Sequence, residues 1–484
     1  MKIIIYLFIF LSAYWIVRIL ISFFWIKKLK KNFHSSKQNT ARSFILVIPV
    51  LNEKDVILAT IDYFLVLIKP FPGSKLLIVT TEKENKIYEQ KKKSARELIN
   101  RGIRDEIISL IKSDFAKDLS YLLDIGLLKN KAMEIINGDK NTIDVLNGVH
   151  KNDVIIIHYP FTFGKMAHQL NFCLKLLINK GVWTNEILGI YNADSRPEQE
   201  TLFWLNKKGV GSGLIFQQYG NYFGNIYSIM KEGFFRKATL LSSSIWQNRW
   251  SVGFEIFNNL KQFIFPYRNI MGGKFLYPLN YCIGHGLFFT KDIFERQNFS
   301  EDTHNEDAIF GLRLSYEEKK ILPLPFFDFS DSPNSIRSLF FQKSSWFLGP
   351  FQAPLYYKKL KAKITGVNKL KLFLLSGKLF FHAIFWLIGP SCLLLLFLNA
   401  LINLDFKLFL LCYFCFLVLP GFLTYILFPN KKIKAMEVLF FLVIGSFSAY
   451  IIHGASAYYS IFLTIRSIFT KKEIDKYKTK ILRN

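Results

Sequence analysis

Acidic residues are scarce in this chain. Its 484 residues include 36 Asp and Glu against 63 Lys and Arg, a formal charge of +27. Yet 51% of the residues are hydrophobic and 17% aromatic, with 50 Phe. The mean hydropathy is +0.22. So much apolar surface excludes a disordered chain, and the length excludes a single small domain. Cysteine is scarce as well. Cys173, Cys282, Cys392, Cys412 and Cys415 are odd in number and irregular in spacing. That excludes a disulfide framework and a zinc pattern, and it suits a reducing compartment. No small-residue cleavage site follows the first apolar run, so this run reads as a retained anchor, not a secretory leader.

What is present is segregation of apolar blocks from basic ones. The run 3–26 would span roughly 36 Å as a helix. Lys27, Lys28, Lys30 and Lys31 follow it. Three further blocks, 372–402, 406–428 and 436–465, are each long enough for ~30 Å of hydrocarbon. Their charges, Lys378, Lys407 and Glu437, sit near block ends, where long side chains reach the interface. The first and third blocks exceed one simple crossing and so start or end in the interface. Ionisable residues deeper in the spans are few, chiefly Arg18, His382 and His453. That argues against a transporter. The Lys residues cluster at membrane edges, which argues against a nucleic-acid binder.

Between the spans the chain alternates β-branched runs with helical stretches. Strands are expected at 44–50, 75–80, 154–158, 186–191 and 213–217. Helices are expected at 56–68, 165–179 and 198–207. Alternation of this kind predicts an α/β fold with a mostly parallel sheet, whose ligands gather at the carboxyl ends of the strands. The stretch 83–151 breaks the rhythm and reads as a helical insertion, with helical periodicity over 104–128 and a solvated charge run at 91–93. The expected organisation is an anchor (1–31), a cytoplasmic domain (32–333), amphipathic interfacial helices (334–370), about three C-terminal spans (371–468) and a basic tail (469–484). Lysines flanking the first span place the α/β domain in the cytoplasm. Lys431, Lys432 and Lys434 belong on the same side. The basic tail falls outside by this count, against the positive-inside rule.

Five motifs carry polar chemistry. Pro49-x-x-Asn52-Glu53 ends the first strand. Its polar groups suit a base or ribose, or else cap the next helix. Asn192-Ala-Asp194 follows the fourth strand and holds one carboxylate for a hard cation, or forms an Asx turn. Gly164-Lys165 opens a helix, where a lysine meets a phosphate or faces solvent. Gly284-His285-Gly286 permits close backbone approach, and Asn305-Glu306-Asp307 starts a helix with an acid pair. Such a pair suits a general base or complements the helix dipole. Gln342-Lys-Ser-Ser345-Trp346 lies in an aromatic, basic stretch before a span.

Taken in order over about 44–350, these motifs resemble the membrane-integrated members of glycosyltransferase family 2, which include cellulose, chitin and hyaluronan synthases and ceramide glucosyltransferase-like enzymes. The resemblance implies a GT-A-type nucleotide-diphospho-sugar transferase domain with about four transmembrane helices in the plasma (bacterial inner) membrane. It implies inverting transfer from a nucleotide sugar, a UDP-sugar by analogy, to a lipid-linked or growing polysaccharide acceptor. Leu51, Glu53, Thr80, Thr81, Lys165, Asn192 and Asp194 would bind the donor. Asp194 would hold Mg²⁺ or Mn²⁺, and Asp307 would be the catalytic base. Gly284, His285, Gly286, Glu306, Gln342 and Trp346 would border donor and acceptor. The chain departs from the pattern at Thr80 and Thr81, where the family has an Asp, with Glu82 adjacent. It departs again at Asn192 in place of the first Asp and at Ser345 in place of an Arg, with Lys343 nearby. Lys343, Lys358, Lys359 and Lys361 would lie against anionic lipid. The alternative these departures raise is an impaired member acting as a binding or scaffold protein in polysaccharide assembly. Membrane lipids are expected partners, and nucleic acid is not.

Overall fold

The computed structural model describes residues 2–33, 42–101, 132–133, 135–136, 140–208, 215–265, 277–364 and 366–470. The periodicity expected over 104–128 and the tail beyond residue 470 lie outside them, as do residues 213–214 of the fifth expected strand.

A long apolar helix, α1 (Lys2–Lys31), precedes the sheet. The strands are β1 (Phe44–Pro49), β2 (Lys75–Thr81), β3 (Val154–Tyr159), β4 (Ile187–Ile190), β5 (Ile215–Asn221), β6 (Leu287–Phe289) and β7 (Ile321–Phe329). They form one sheet in the order β3-β2-β1-β4-β6-β5-β7. Only the pairings of β6 with β4 and β5 are antiparallel. The other neighbours run parallel, as the alternation predicts.

Successive residues of a strand point to opposite faces, and here both faces are covered. Phe44, Leu46 and Ile48 pack with α2 (Ile57–Ile68). After β2 the chain continues directly into α3 (Glu82–Arg101), and α4 (Thr142–Leu146) leads back towards β3. Ile45 and Val47 pack with α5 (Met166–Asn179). On the α2 side, Leu202 and Leu205 of α6 (Glu200–Lys208) join the core. Because β2 and β3 lie to one side of β1 and β4 to the other, a crevice opens at the carboxyl ends of β1 and β4.

The layer that holds the long apolar helices begins with α7 (Phe234–Trp250), which runs through a π turn (Ser251–Ile256) into α8 (Phe257–Ile264). Then come α9 (Glu306–Tyr316), α10 (Ile336–Phe351) and α11 (Ala353–Lys363). The C-terminal helices are α12 (Lys369–Asn403), α13 (Lys407–Tyr413), α14 (Leu419–Leu427) and α15 (Ala435–Thr470), with a π turn (Phe414–Val418) joining α13 to α14. Among the described residues, four segments are long and apolar enough to cross a membrane: Ile5–Lys31, Lys369–Asn403, Lys407–Leu427 and Ala435–Ser467. They coincide with the expected blocks. At 35 and 36 residues, α12 and α15 are single helices of about 53 Å, well beyond ~30 Å of hydrocarbon.

α7 is polar in sequence but buried against α15. Ser242 Oγ donates to Phe441 O at 3.1 Å, and Thr239 and Ser448 hydroxyls meet at 2.7 Å. Where membrane-type helices associate, small residues and short polar bonds let backbones approach closely. α1 docks on the π turn and α8 that continue α7: the Arg18 guanidinium donates to Asn258 Oδ1 at 3.2 Å and sits over the Phe257 ring. α10 packs between α15 and α12, through a Ser344–Ser460 hydroxyl bond of 2.7 Å and a Phe347–Trp386 ring contact. This corrects one expectation. Lys343 does not share a lipid-facing surface with Lys358, Lys359 and Lys361, because it is 2% exposed.

Candidate active site

A cavity of about 840 Å³ occupies the crevice and continues towards α7, α10 and α12. Four of the segments lining it carry the ionisable groups that the sequence singled out.

The first is the β1 exit. Asn52 adopts a left-handed conformation (φ 57°), which turns the chain so that Leu51 and Glu53 line the cavity. At the start of α2 the N-cap Val56 makes no side-chain bond, and the Glu53 carbonyl accepts from the Val56 and Ile57 N–H groups at 3.1 and 3.0 Å. Glu53 is buried, and its N–H donates to Thr142 Oγ1 at 2.8 Å, tying the loop to α4.

The second is the β4 exit. Asn192 and Asp194 both line the cavity. The turn is closed by Ser195 N–H donating to Asn192 O at 3.2 Å, and it is anchored from β7. Asp328 accepts from Ser195 Oγ at 2.7 Å and from the Arg196 N–H at 2.6 Å. Burial, with the charges of Asp331, Glu53 and Asp328, pushes the Asp194 carboxyl up to about 6.

The third is the start of α5. Gly164 is at φ +110°, and Lys165 occupies the cap position, its N–H donating to His168 Nδ1 at 3.2 Å. Both line the cavity beside the helix N-terminus.

The fourth combines the approach to β6 with the start of α9. Gly284, His285, Glu306 and Asp307 all line the cavity. A side chain added at Gly284 would stand 3.6 Å from Asp307 Oδ2 and 3.7 Å from Glu306 Oε1. Asp307 Oδ1 accepts from the Ala308 N–H at 2.8 Å. His285 Nδ1 pairs with Asp328 Oδ2 at 2.9 Å. Burial alone would lower the His285 pKa; the Asp328 bond and the charges of Asp328, Asp194 and Glu255 outweigh it and raise it. From α10, Gln342 and Trp346 complete the wall, and Gln342 Oε1 accepts from Gln247 Nε2 at 3.2 Å.

Thus Leu51, Glu53, Lys165, Asn192, Asp194, Gly284, His285, Glu306, Asp307, Gln342 and Trp346 share one cavity. Thr80, Thr81 and Gly286 stand behind its wall. Thr80 Oγ1 bonds His158 Nδ1 at 3.0 Å, and Thr81 Oγ1 accepts from the Lys83 N–H at 3.2 Å at the start of α3. Gly286, at φ +66°, joins β6 to its neighbours, donating to Ile190 O and accepting from Gln218 N at 2.7 Å each. Ser345 bonds His304 Nε2 at 3.2 Å. Lys343 does not reach this cavity: its Nζ lies 4.3 Å over the Trp346 ring. The sequence reading missed Glu255, Trp246, Trp250, Asp328 and Asp331. Asp328, in β7, and Asp331, just after it, gave no signal, because the prolines of β7 hide that strand in the sequence.

Among the described residues, no group of three or more His, Cys, Asp or Glu could by itself hold a metal ion. A Mg²⁺-type cation does not require one, because it takes one or two carboxylates and completes its shell with phosphate oxygens and water. Asp194 fits that use, since neighbouring carboxylates crowd it where added positive charge is stabilising.

No family profile matches the chain, and no curated protein matches it either. Among solved structures it is similar to the mannosyltransferase PcManGT from Pyrobaculum calidifontis in complex with GDP-Man and Mn²⁺. The TM-score is 0.40 at 12% identity, over 97% of this chain and 99% of that one. It is also similar to glucosyl-3-phosphoglycerate synthase from Mycobacterium tuberculosis in complex with Mn²⁺, UDP and phosphoglyceric acid. That TM-score is 0.28 at 10% identity, over 62% of this chain and 76% of that one. Likenesses this distant leave the function to be argued from the site itself.

Proposed function

We propose that the chain is a membrane-integrated, inverting glycosyltransferase with a GT-A-type domain, related to family 2, acting from a nucleotide-sugar donor. One observation carries the reading: Glu53, Lys165, Asp194 and Asp307, from four separate segments, line one cavity at the switch point of a mostly parallel sheet. Nucleotides bind at such crevices.

In this reading Leu51 and Glu53 border the nucleoside. Lys165 and the N–H groups opening α5 meet the diphosphate. Asp194 would hold Mg²⁺ or Mn²⁺ together with the donor's phosphate oxygens. When bound, such an ion neutralises charge on the leaving diphosphate. Asp307 accepts the proton of an acceptor hydroxyl as that oxygen bonds to the anomeric carbon. The bond from that carbon to the diphosphate oxygen breaks on the opposite side, and the nucleoside diphosphate leaves with the electron pair. Glu306 and the Gly284–Gly286 loop flank the reacting centre, and Gln342 and Trp346 border the acceptor.

The four apolar segments would cross the plasma membrane, with Lys27, Lys28, Lys30 and Lys31 holding the α/β domain on the cytoplasmic side. A cysteine introduced at Lys432 should then react with an impermeant maleimide only after cells are opened. Asp307→Asn should lower sugar transfer by about a thousandfold while nucleotide binding persists. Wild-type turnover in that variant would sink the assignment.

A further inference from the structure

Away from the cavity, rings and cations share one exposed patch. It is built from three segments: the turn that carries Tyr227, the amino end of α7, and the loop leading from α14 into α15. Phe235 is 77% exposed, Tyr227 60% and Phe440 51%. The patch is held together by its own contacts. The Phe234 ring centre lies 5.3 Å from that of Phe235, 5.9 Å from Phe440 and 6.0 Å from Phe441. Lys432 Nζ stands 4.1 Å over the Tyr227 ring. Exposed rings gathered in this way mark an interaction face, unlike apolar residues scattered singly.

Charge on this face is mostly positive. Lys231, Arg236, Lys431, Lys432 and Lys434 are exposed around the rings. The nearby acids are Glu232, which pairs with Arg236 at 3.0 Å, and Glu437, in the first turn of α15. The first turn of α7 carries no acid, and its cap, Gly233, makes no side-chain bond. The helix dipole therefore adds to the positive charge there. The order of these groups along α15 matters too. Lys431, Lys432 and Lys434 precede a segment long and apolar enough to cross a membrane, and Phe440 lies about 9 Å further along its axis. Cations first and rings just below them is the order of a bilayer interface. Phe234 and Phe235 stand beside Phe440 and so share its level, although they belong to the stretch between the spans.

We infer that the amino end of α7 is a membrane wedge: Phe234 and Phe235 enter the cytoplasmic leaflet beside α15, and the cations around them meet anionic lipid headgroups. The inference rests on the spanning assignment proposed above. Two observations favour lipid over a protein partner. The patch is continuous with Phe440 of a spanning segment, and its charge complements an anionic leaflet. α7 runs from this wedge to the cavity, where Gln247 lies in the wall. The wedge thereby sets the height of the cavity above the leaflet.

The test uses the full chain in lipid nanodiscs. Cys392 and Cys415, the native thiols that are not buried, are replaced by Ala, and Phe235→Cys is labelled with the fluorophore NBD. Lys175→Cys on α5 and Leu395→Cys on α12, both at exposed positions, are labelled likewise as references for water and for a span. An unchanged thermal transition shows that each labelled protein is folded. The label on Phe235→Cys should emit to the blue of that on Lys175→Cys, and lipids with a nitroxide near the headgroup should quench it most. Quenching should rise about twofold when an anionic lipid replaces a zwitterionic one, and Lys231→Gln with Lys432→Gln should remove that rise. Three results would overturn the inference: quenching of the Phe235→Cys label by aqueous iodide and not by lipid nitroxide, shielding from both as a protein partner or a second copy would give, or quenching indifferent to lipid charge. A label on Leu395→Cys that lipid nitroxides do not reach would instead overturn the spanning assignment.

Discussion

Asp328 holds His285: the buried carboxylate at the end of β7 meets His285 Nδ1 at 2.9 Å. The same carboxylate takes the Ser195 hydroxyl and the Arg196 N–H of the β4 exit. One side chain therefore ties the loop bearing Asp194 to the loop bearing His285.

Asp328 is accordingly a positioning residue. Asp328→Asn keeps its volume but offers an amide to groups that need acceptors. Turnover at saturating donor should fall about tenfold or more, with the thermal transition retained. The conservative Asp328→Glu should recover part of the rate if the carboxylate's hydrogen bonds matter. Unchanged turnover in Asp328→Asn would remove the role.

The two glycines beside His285 separate fold from chemistry. A Cβ at Gly286 would lie 2.7 Å from Gln218 O, on a backbone at φ +66°. Gly286→Ala should destabilise the protein by about 1–3 kcal/mol. A Cβ at Gly284 would meet Met166 Cε at 3.2 Å and project towards Asp307 and Glu306. Gly284→Ala should leave the melting temperature nearly unchanged and depress turnover. The reverse pattern in unfolding and rate measurements would contradict both assignments.

How much of this was legible in the sequence depends on where each residue's surroundings come from. β1 to β5 announced themselves as β-branched runs because both faces of a parallel sheet are buried. β7 did not, since Pro323 and Pro325 break the pattern of a central strand. The structure tolerates them because β7 is the last strand in the order, at the sheet edge. β6 has only three residues, too few for periodicity. Glu53, Lys165, Asp194 and Asp307 were legible because each follows a strand or opens a helix beside the crevice. Glu255 and Trp250 were not, because nothing local says that a polar helix will be buried among apolar ones.

Asp194 yields a prediction about metal. If it supplies the protein's ligand to a divalent ion shared with the donor diphosphate, a chelator should suppress transfer and Mn²⁺ should restore it. Asp194→Asn should raise the Mn²⁺ concentration for half-maximal rate by about tenfold or more. An unchanged Mn²⁺ requirement would point to other ligands.

Glu255 yields a prediction about stability. Burial, with His285, Lys343 and a Ser251 hydrogen bond opposing it and Asp307 adding to it, pushes its carboxyl up to about 7 from an ordinary value of 4.5. Between those values the folded protein holds a proton that the unfolded chain has released, so stability falls as pH rises through that window. The contribution is fully present below 4.5 and lost above about 7. A shift of this size corresponds to about 3 kcal/mol. Glu255→Gln has no proton to lose there. Denaturant unfolding at pH 5 and pH 8 should therefore show the variant gaining about 3 kcal/mol relative to the wild type between the two conditions. Parallel pH dependence in the two proteins would mean that Glu255 is solvated as an ordinary carboxylate in the folded protein.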